Sequence, residues 1–274
     1  MDQKNIEDVC TGLCFTAIRY SNEIDSTNSE AARWIGEGAP DLAIVVADEQ
    51  TAGRGRHGRK WFTPPGAALA FSVIMLDPFR SLSRSPKFID VSSGLAQLTA
   101  LGSLAVCQAL RDTYNLDALI KWPNDVLINR MKTAGVLVEG NWYGNQFKSA
   151  ILGIGVNISP QAVPYVNDLM YPATCVEAFV GRNISRTELL REILVRFCFW
   201  QEKLGEESFH QSWNNWLAFK GEWVDIITDF GDKNLITENG LVEGVDQKGR
   251  LRILEPSGEI LSIEIGEIHL RPVA

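Results

Sequence analysis

The chain is poor in the residues that build metal centres and disulfide frameworks. Its 274 residues hold three histidines, His57, His210 and His269, far apart in sequence, and five cysteines, Cys10, Cys14, Cys107, Cys175 and Cys198, with no C-x-x-C pair. Neither a zinc site nor a secreted disulfide scaffold is expected from that pattern. The odd number of thiols reads as free cysteines in a reducing cytoplasm. No run of apolar residues approaches the roughly 20 needed to span a bilayer. The opening Met1-Asp2-Gln3-Lys4-Asn5 has no basic region followed by an apolar one, so no secretory signal is expected. Positive charge is also scarce. Lys and Arg total 26 against 34 Asp and Glu, a formal net charge of -8, which argues against a general nucleic-acid binder.

Against that acidic background one stretch stands out, Gln50-Thr51-Ala52-Gly53-Arg54-Gly55-Arg56-His57-Gly58-Arg59-Lys60-Trp61. Glycines alternate with basic residues, and no acid falls between Thr51 and Trp61. Glycine lets a backbone come close to a ligand, successive amides can form an anion-binding nest, and arginine brings bidentate donors for carboxylate and phosphate. The stretch therefore reads as a loop wrapping an anionic small molecule, the competing reading being a solvated basic loop or nucleic-acid patch. It is no Walker A loop, since Trp61 follows Lys60 where Ser or Thr is required. Gly53-x-Gly55-x-x-Gly58 fits dinucleotide spacing, but Pro64 and Pro65 forbid the helix that must follow.

The remaining chain places this loop in an α+β protein. Thr27-x-x-Glu30 reads as a capping box opening a helix through Ala31, Ala32, Trp34 and Ile35. Leu42–Ala47 and Leu69–Leu76 read as strands on either side of the loop, and Pro78–Pro86 as an exposed connection. Residues 92–113 carry apolar side chains at helical spacing and read as a buried helix. In Leu119–Asn129 two short apolar runs flank the corner Trp122-Pro123-Asn124-Asp125, which reads either as a plain turn between strands or as an amide and a carboxylate aimed into a site beside Lys121. Lys132 stands just before a strand that starts with small residues. In Phe147–Asn157, Gly153 and Gly155 are two apart and so share one face of a strand, a mark of close approach by a ligand or another backbone. Ser185-x-x-Glu188 opens a second helix. Beyond residue 219 short strand-like runs at 223–228, 241–245, 251–254 and 260–265, punctuated by Gly231, Gly240, Gly249 and Gly258, suggest a small all-β barrel or sandwich. The expected division is 1–218 and 219–274.

Four segments in order, Gly-Arg-Gly-Arg-His-Gly-Arg-Lys-Trp, Lys-Trp-Pro-Asn-Asp, Lys-Thr-Ala-Gly-Val-Leu-Val-Glu and Gly-Ile-Gly-Val-Asn, resemble the biotin protein ligases, also called biotin–[acetyl-CoA-carboxylase] ligases. The resemblance runs through most of residues 20–160. It implies a class II aminoacyl-tRNA-synthetase-like catalytic domain, with a mixed sheet and flanking helices, followed by a small SH3-like β-barrel. It implies that Ser26, Thr27, Gln50, Gly53, Arg54, Arg56, Lys132 and Gly135 hold biotin or its activated carboxylate. Arg54, Arg56, Trp61, Asn124, Lys132 and Asn157 would contact ATP or the adenylate, with Trp61 against adenine. Lys132, Arg56 and Asp125 would be the catalytic set, Asp125 also organising Mg²⁺. The implied reaction joins biotin and ATP into biotinyl-5′-AMP and passes biotin to a lysine of a biotin carboxyl carrier protein, in the cytoplasm and away from membranes, with a homodimer compatible with the family. His57 stands where some members have arginine.

Lipoate–protein ligation and non-catalytic adenylate sensing are the rival readings. Some biotin ligases also carry an N-terminal DNA-binding domain. Here the residues ahead of the first motif are too few for a helix-turn-helix module, so no sequence-specific DNA binding is expected. A gel-shift titration of this chain against a biotin-operator duplex at physiological salt should leave the DNA unshifted.

Overall fold

The computed structural model describes residues 1–79, 90–144, 146–164, 171–229, 234–264 and 268–272. Its main layer is a seven-stranded sheet in the order β1-β2-β3-β7-β6-β5-β4. The strands are β1 (Ala17–Ile24), β2 (Ala43–Gln50), β3 (Ala68–Leu76), β4 (Ala118–Lys121), β5 (Asp125–Ile128), β6 (Met131–Tyr143) and β7 (Gln146–Asn157). β1 and β2 run parallel and the other neighbours antiparallel, so the sheet is mixed.

The two faces of this sheet are divided by the pleat. On β6, Ala134 and Val136 are buried on the face that receives α3 (Val91–Tyr114), where Val136 and Leu152 lie against Gly102 of that helix. Gly135 and Leu137 must then face the other way. α3 begins at Asp90, whose carboxylate accepts from the Ser93 amide, and ends at Asn115 in the left-handed region. Among the described residues it is the one helix long and apolar enough to cross a membrane. Here it is core, packed between the sheet and α5 (Arg186–Glu202). On the opposite face α2 (Thr27–Gly36) covers β2, β3 and β7. The short helices α1 (Gln3–Cys10), α4 (Glu177–Val180) and α6 (Glu207–Asn215) complete the set.

The second sheet is five-stranded and antiparallel, in the order β11-β10-β9-β8-β12. It comprises β8 (Trp223–Asp229), β9 (Asn234–Val245), β10 (Leu251–Leu254), β11 (Ile260–Ile263) and β12 (Ile268–Pro272). Its buried Val224, Val242, Leu251 and Ile253 belong to the same apolar cluster as the main core. Polar ties reinforce the join. Asn214 on α6 donates to the Val245 carbonyl at 3.0 Å and accepts from the Val245 amide at 2.8 Å, continuing the backbone ladder with a side chain. The Trp122 indole donates to the Gly249 carbonyl at 3.0 Å.

Several expectations need correction. Ahead of β1, where no element was expected from sequence, Gln3–Cys10 is a helix capped by Asp2. Cys14 and Cys198 are not free thiols but a disulfide, 184 residues apart in sequence. The pairing was invisible to local spacing because it depends on α1 docking on α5, helped by Arg191 donating to the Val9 carbonyl at 2.6 Å. Cys10, Cys107 and Cys175 are free and buried. The Thr27 capping box does not form. Ser26 is the N-cap without a side-chain bond, and Glu30 instead pairs with Arg19 and Arg33 at 2.9 Å. Ser185 does cap α5, accepting from the Glu188 amide. The strand β12 was missed altogether. Most of Pro78–Pro86, as well as Gly231, lies outside the described residues.

Asn214→Ala would strand both backbone groups of Val245 in a partly buried place. It is expected to destabilise the chain by roughly 1–3 kcal/mol, read as a lower urea midpoint at unchanged slope.

Candidate active site

The sheet register lays a floor of small residues under one cavity. Gly135 on β6 pairs with Gly155 on β7, which pairs with Ala70 on β3. Two positions along, Leu137, Gly153 and Ser72 form the next row. These residues face away from α3, and above them lies a cavity of about 990 Å³. Neither β7 glycine could carry a side chain. A Cβ on Gly153 would fall 2.2 Å from Asn28 Oδ1, and one on Gly155 2.3 Å from the Trp61 indole.

One end of the trough is neutral and tightly hydrogen-bonded. Gln50 closes β2, and its Oε1 accepts from the Thr27 amide at 2.8 Å and the Thr27 hydroxyl at 3.1 Å, while its Nε2 donates to Thr63 at 2.9 Å. Ser72 Oγ lies 2.8 Å from Thr27 Oγ1 and donates to Asn28 Oδ1 at 2.5 Å. Asn28 in turn donates to Glu139 at 2.7 Å, and Glu139 pairs with Arg54 at 2.8 Å. Ser26, Thr27 and Asn28 are all buried at the N-terminus of α2, so polar groups there are held rigidly for a ligand.

The glycine–arginine loop folds back on itself as a small hairpin. The amides of Trp61 and Gly55 donate to the carbonyls of Gly53 and Arg59 at 2.8 and 2.7 Å, and Arg59 donates to Arg56 at 3.2 Å. The amides of Gly55, Arg59 and Trp61 are thus spent within the loop and take no part in an anion-binding nest. His57 takes the left-handed conformation, φ 56°, inside the short helical turn Arg56–Gly58. Gly53 does not line the cavity. It is buried beneath the Trp61 carbonyl, 2.3 Å from where a Cβ would stand, so its part is to shape the loop.

Beyond the Arg54–Glu139 pair, toward the other end, most of the charge collects. Arg54, Arg56, Arg59, Lys60, Lys121 and Lys132 line the cavity, with Asp125 the carboxylate among the described lining residues. Lys132 Nζ is 2.6 Å from Asp125 Oδ1 and 5.4 Å from the centre of the Trp61 ring. A bulge in the β5–β6 pairing sets Lys132 opposite Leu127. Its amide and carbonyl bond Pro172 and Thr174 at 2.8 Å. Arg56 donates to Asn124 Oδ1 at 3.3 Å, and Asn124 is itself held by donating to the Val136 carbonyl at 2.9 Å. Burial pushes the Arg56 guanidinium below its ordinary range, against the pull of Asp125 and with a smaller push from Arg59. It remains a cation, and an anionic ligand would relieve that burial cost. Asn157 is 4% exposed and donates to the Thr174 carbonyl at 3.0 Å.

All the residues singled out from sequence except Gly53 therefore border one cavity. Trp61 lies over Gly155 and Gly135, on the floor itself. Asn28 and Tyr171 also border the cavity and were missed, as were Ser72 and Glu139, which bond Asn28 from behind. The glycine at 153 was the available signal for Asn28, because a bare strand position needs something to approach it.

The groups of three or more metal-ligating side chains that a resident metal would need are absent among the described residues. Asp125 with substrate phosphates does match the way Mg²⁺ is usually held, by one or two carboxylates plus phosphate oxygens.

Gly155→Ala is expected to expel the indole from the floor. The Trp61 indole N–H resonance, assigned by its loss in Trp61→Phe, should shift while the other indole signals stay in place.

The biotin/lipoate A/B protein ligase family model matches residues 20–157. The chain is 32% identical over 252 residues to the bifunctional ligase/repressor BirA of Bacillus subtilis, covering 92% of this chain and 73% of that one. It is 34% identical over 237 residues to the biotin–[acetyl-CoA-carboxylase] ligase of Paracoccus denitrificans, covering 85% and 92%. Among solved structures it is similar to the biotin protein ligase from Aquifex aeolicus in complex with biotin and ATP, with a TM-score of 0.73 at 29% identity over 94% of this chain and 100% of that chain. The matched segment runs from within β1 to the end of β7, through the whole floor of the cavity, and the chain belongs to the biotin/lipoate A/B protein ligase family.

Proposed function

We propose that this chain is an ATP-dependent biotin ligase that forms biotinyl-5′-AMP and transfers biotin to a lysine of a carboxylase's biotin carboxyl carrier protein. The observation that carries this reading is the polarity of the trough. A neutral, fully bonded end at Thr27 and Gln50 suits an uncharged hydrogen-bonding ring, and Lys132, Arg56 and Asn124 suit the meeting of a carboxylate with a phosphate. The relatives named as biotin ligases, and the Aquifex enzyme bound to biotin and ATP, support it.

In this reading a biotin carboxylate oxygen attacks the α-phosphorus of ATP, the bond to the β-phosphate breaks, and pyrophosphate leaves with the bonding electrons. Two anions must come together, so the barrier is largely electrostatic. Lys132 and Arg56 offset the repulsion and hold charge developing at phosphorus. Asp125 holds the Lys132 ammonium in place until substrate arrives, and Lys132 must partly leave it to act. Mg²⁺, when bound, would neutralise phosphate charge, and Asp125 is the residue that would hold it. A neutral amine of the acceptor lysine then attacks the acyl carbon, loses its proton, and AMP departs. Arg54, Gly135 and Asn157 complete the contacts to the adenylate, and the loop carrying Trp61 covers it against water. The need for ATP and an intracellular acceptor sets this activity in the cytoplasm. The division into a class II synthetase-like unit, residues 1–218, and an SH3-like unit, residues 219–274, is part of the same proposal.

Lipoate ligation is the sister activity in this family, and one assay separates the two. Biotin-dependent exchange of labelled pyrophosphate into ATP is expected, with none on lipoate; exchange on lipoate alone would overturn the biotin assignment. Lys132→Ala should lower the exchange rate roughly 10²–10³-fold while calorimetric biotin affinity changes far less. Near-wild-type exchange in that variant would remove Lys132 from its role.

A further inference from the structure

The mechanism above gives no role to Lys121, yet this lysine is only 6% exposed and lines the cavity. Lysine is almost never buried so fully without compensation. Part of that compensation is the Tyr171 ring, whose centre is 3.9 Å from Lys121 Nζ, a cation–π distance.

Its position follows from the sheet register. Lys121 on β4 pairs with Asp125 on β5, Asp125 with Gly135 on β6, and Gly135 with Gly155 on β7. These four lie in one lateral row, so Lys121 is two strand spacings, about 10 Å, beyond Gly135. The neutral end of the trough, at Thr27, Gln50 and Gly153, lies to the other side of Gly135. A carboxylate coming from that end would meet phosphorus beside Lys132. Displacement at phosphorus is in line, so the leaving group must depart in the opposite sense, along the row toward Asp125 and Lys121.

We propose that Lys121 binds the β- and γ-phosphates of the nucleotide and holds the pyrophosphate as it leaves. This rests on the adenylating reading of the site. Lys132 and Arg56 would then act at the α-phosphate, and Lys121 at the departing end, on a group that is absent from the adenylate once formed.

That division of labour supplies the test. In the full chain, Lys121→Gln should raise the KM for pyrophosphate in the reverse reaction, biotinyl-AMP plus pyrophosphate to ATP plus biotin, at least about tenfold. Lys121→Arg should recover most of it. Affinity for preformed biotinyl-AMP and single-turnover transfer from it to the carrier protein should be unchanged, since neither involves pyrophosphate. An unaltered KM for pyrophosphate in Lys121→Gln would overturn the proposal, as would an equal loss of affinity for biotinyl-AMP, which a general packing defect would produce. Calorimetric binding of inorganic pyrophosphate to each protein reads the same site without turnover: weaker binding in Lys121→Gln is expected, and equal binding counts against Lys121. If the wild-type chain exchanges pyrophosphate on lipoate and not biotin, the biotin assignment fails, and the same comparison run with lipoyl-AMP still judges Lys121.

Discussion

Close packing onto the bare backbone of β7 is the contact on which the site depends. At Gly153 the sheet admits the Asn28 amide, and at Gly155 the Trp61 indole. The first contact seats α2 and, through Asn28, ties Ser72, Glu139 and Arg54 into one chain of bonds. The second anchors the glycine–arginine loop on the sheet. A methyl group at either position would lie within 2.4 Å of an existing atom, closer than any van der Waals contact allows, so helix or loop would have to move. The hollow above the sheet is thus a consequence of missing side chains, repeated in register at Gly135 and Ala70.

Electrostatics then gives the hollow a direction. The chain is acidic overall, yet six basic side chains border one cavity. Coulombic attraction for an anion is strongest where water is partly excluded, and Arg56 and Lys121 are the least hydrated of this set. The pairs Lys132–Asp125 and Arg54–Glu139 hold two further cations in place by partners that a phosphate or carboxylate can replace. Such pairs contribute little to stability where they are half exposed. Their effect is on position.

Much of the frame was readable from residue order. Short apolar runs marked β2, β3 and β7, and the helical period over 92–113 located α3 to within a residue at each end. The paired glycines of Phe147–Asn157 were correctly read as one face of a strand. Local rules failed where a competing partner stood elsewhere in the fold. Glu30 left its capping role because Arg19 and Arg33 lie beside it. The Gly55 and Trp61 amides turned inward because the hairpin brings the Arg59 and Gly53 carbonyls to them. Gly53 is packed beneath the Trp61 carbonyl, a contact that only the hairpin creates.

By itself the sequence determined that a cationic, acid-free loop stands between two strands, that two glycines share a strand face, and that Lys132 and Asn124-Asp125 occur near them in order. Those features depend on period and composition, which act within a few residues. Tertiary structure alone decided which side chains meet. It joined Cys14 to Cys198 across 184 residues, set Lys132 against Asp125, laid Trp61 on the glycine floor, and ranged Lys121, Asp125, Gly135 and Gly155 in a single row. Each of these depends on strand register and helix docking, and a one-residue slip in either would turn the same side chains to the opposite face.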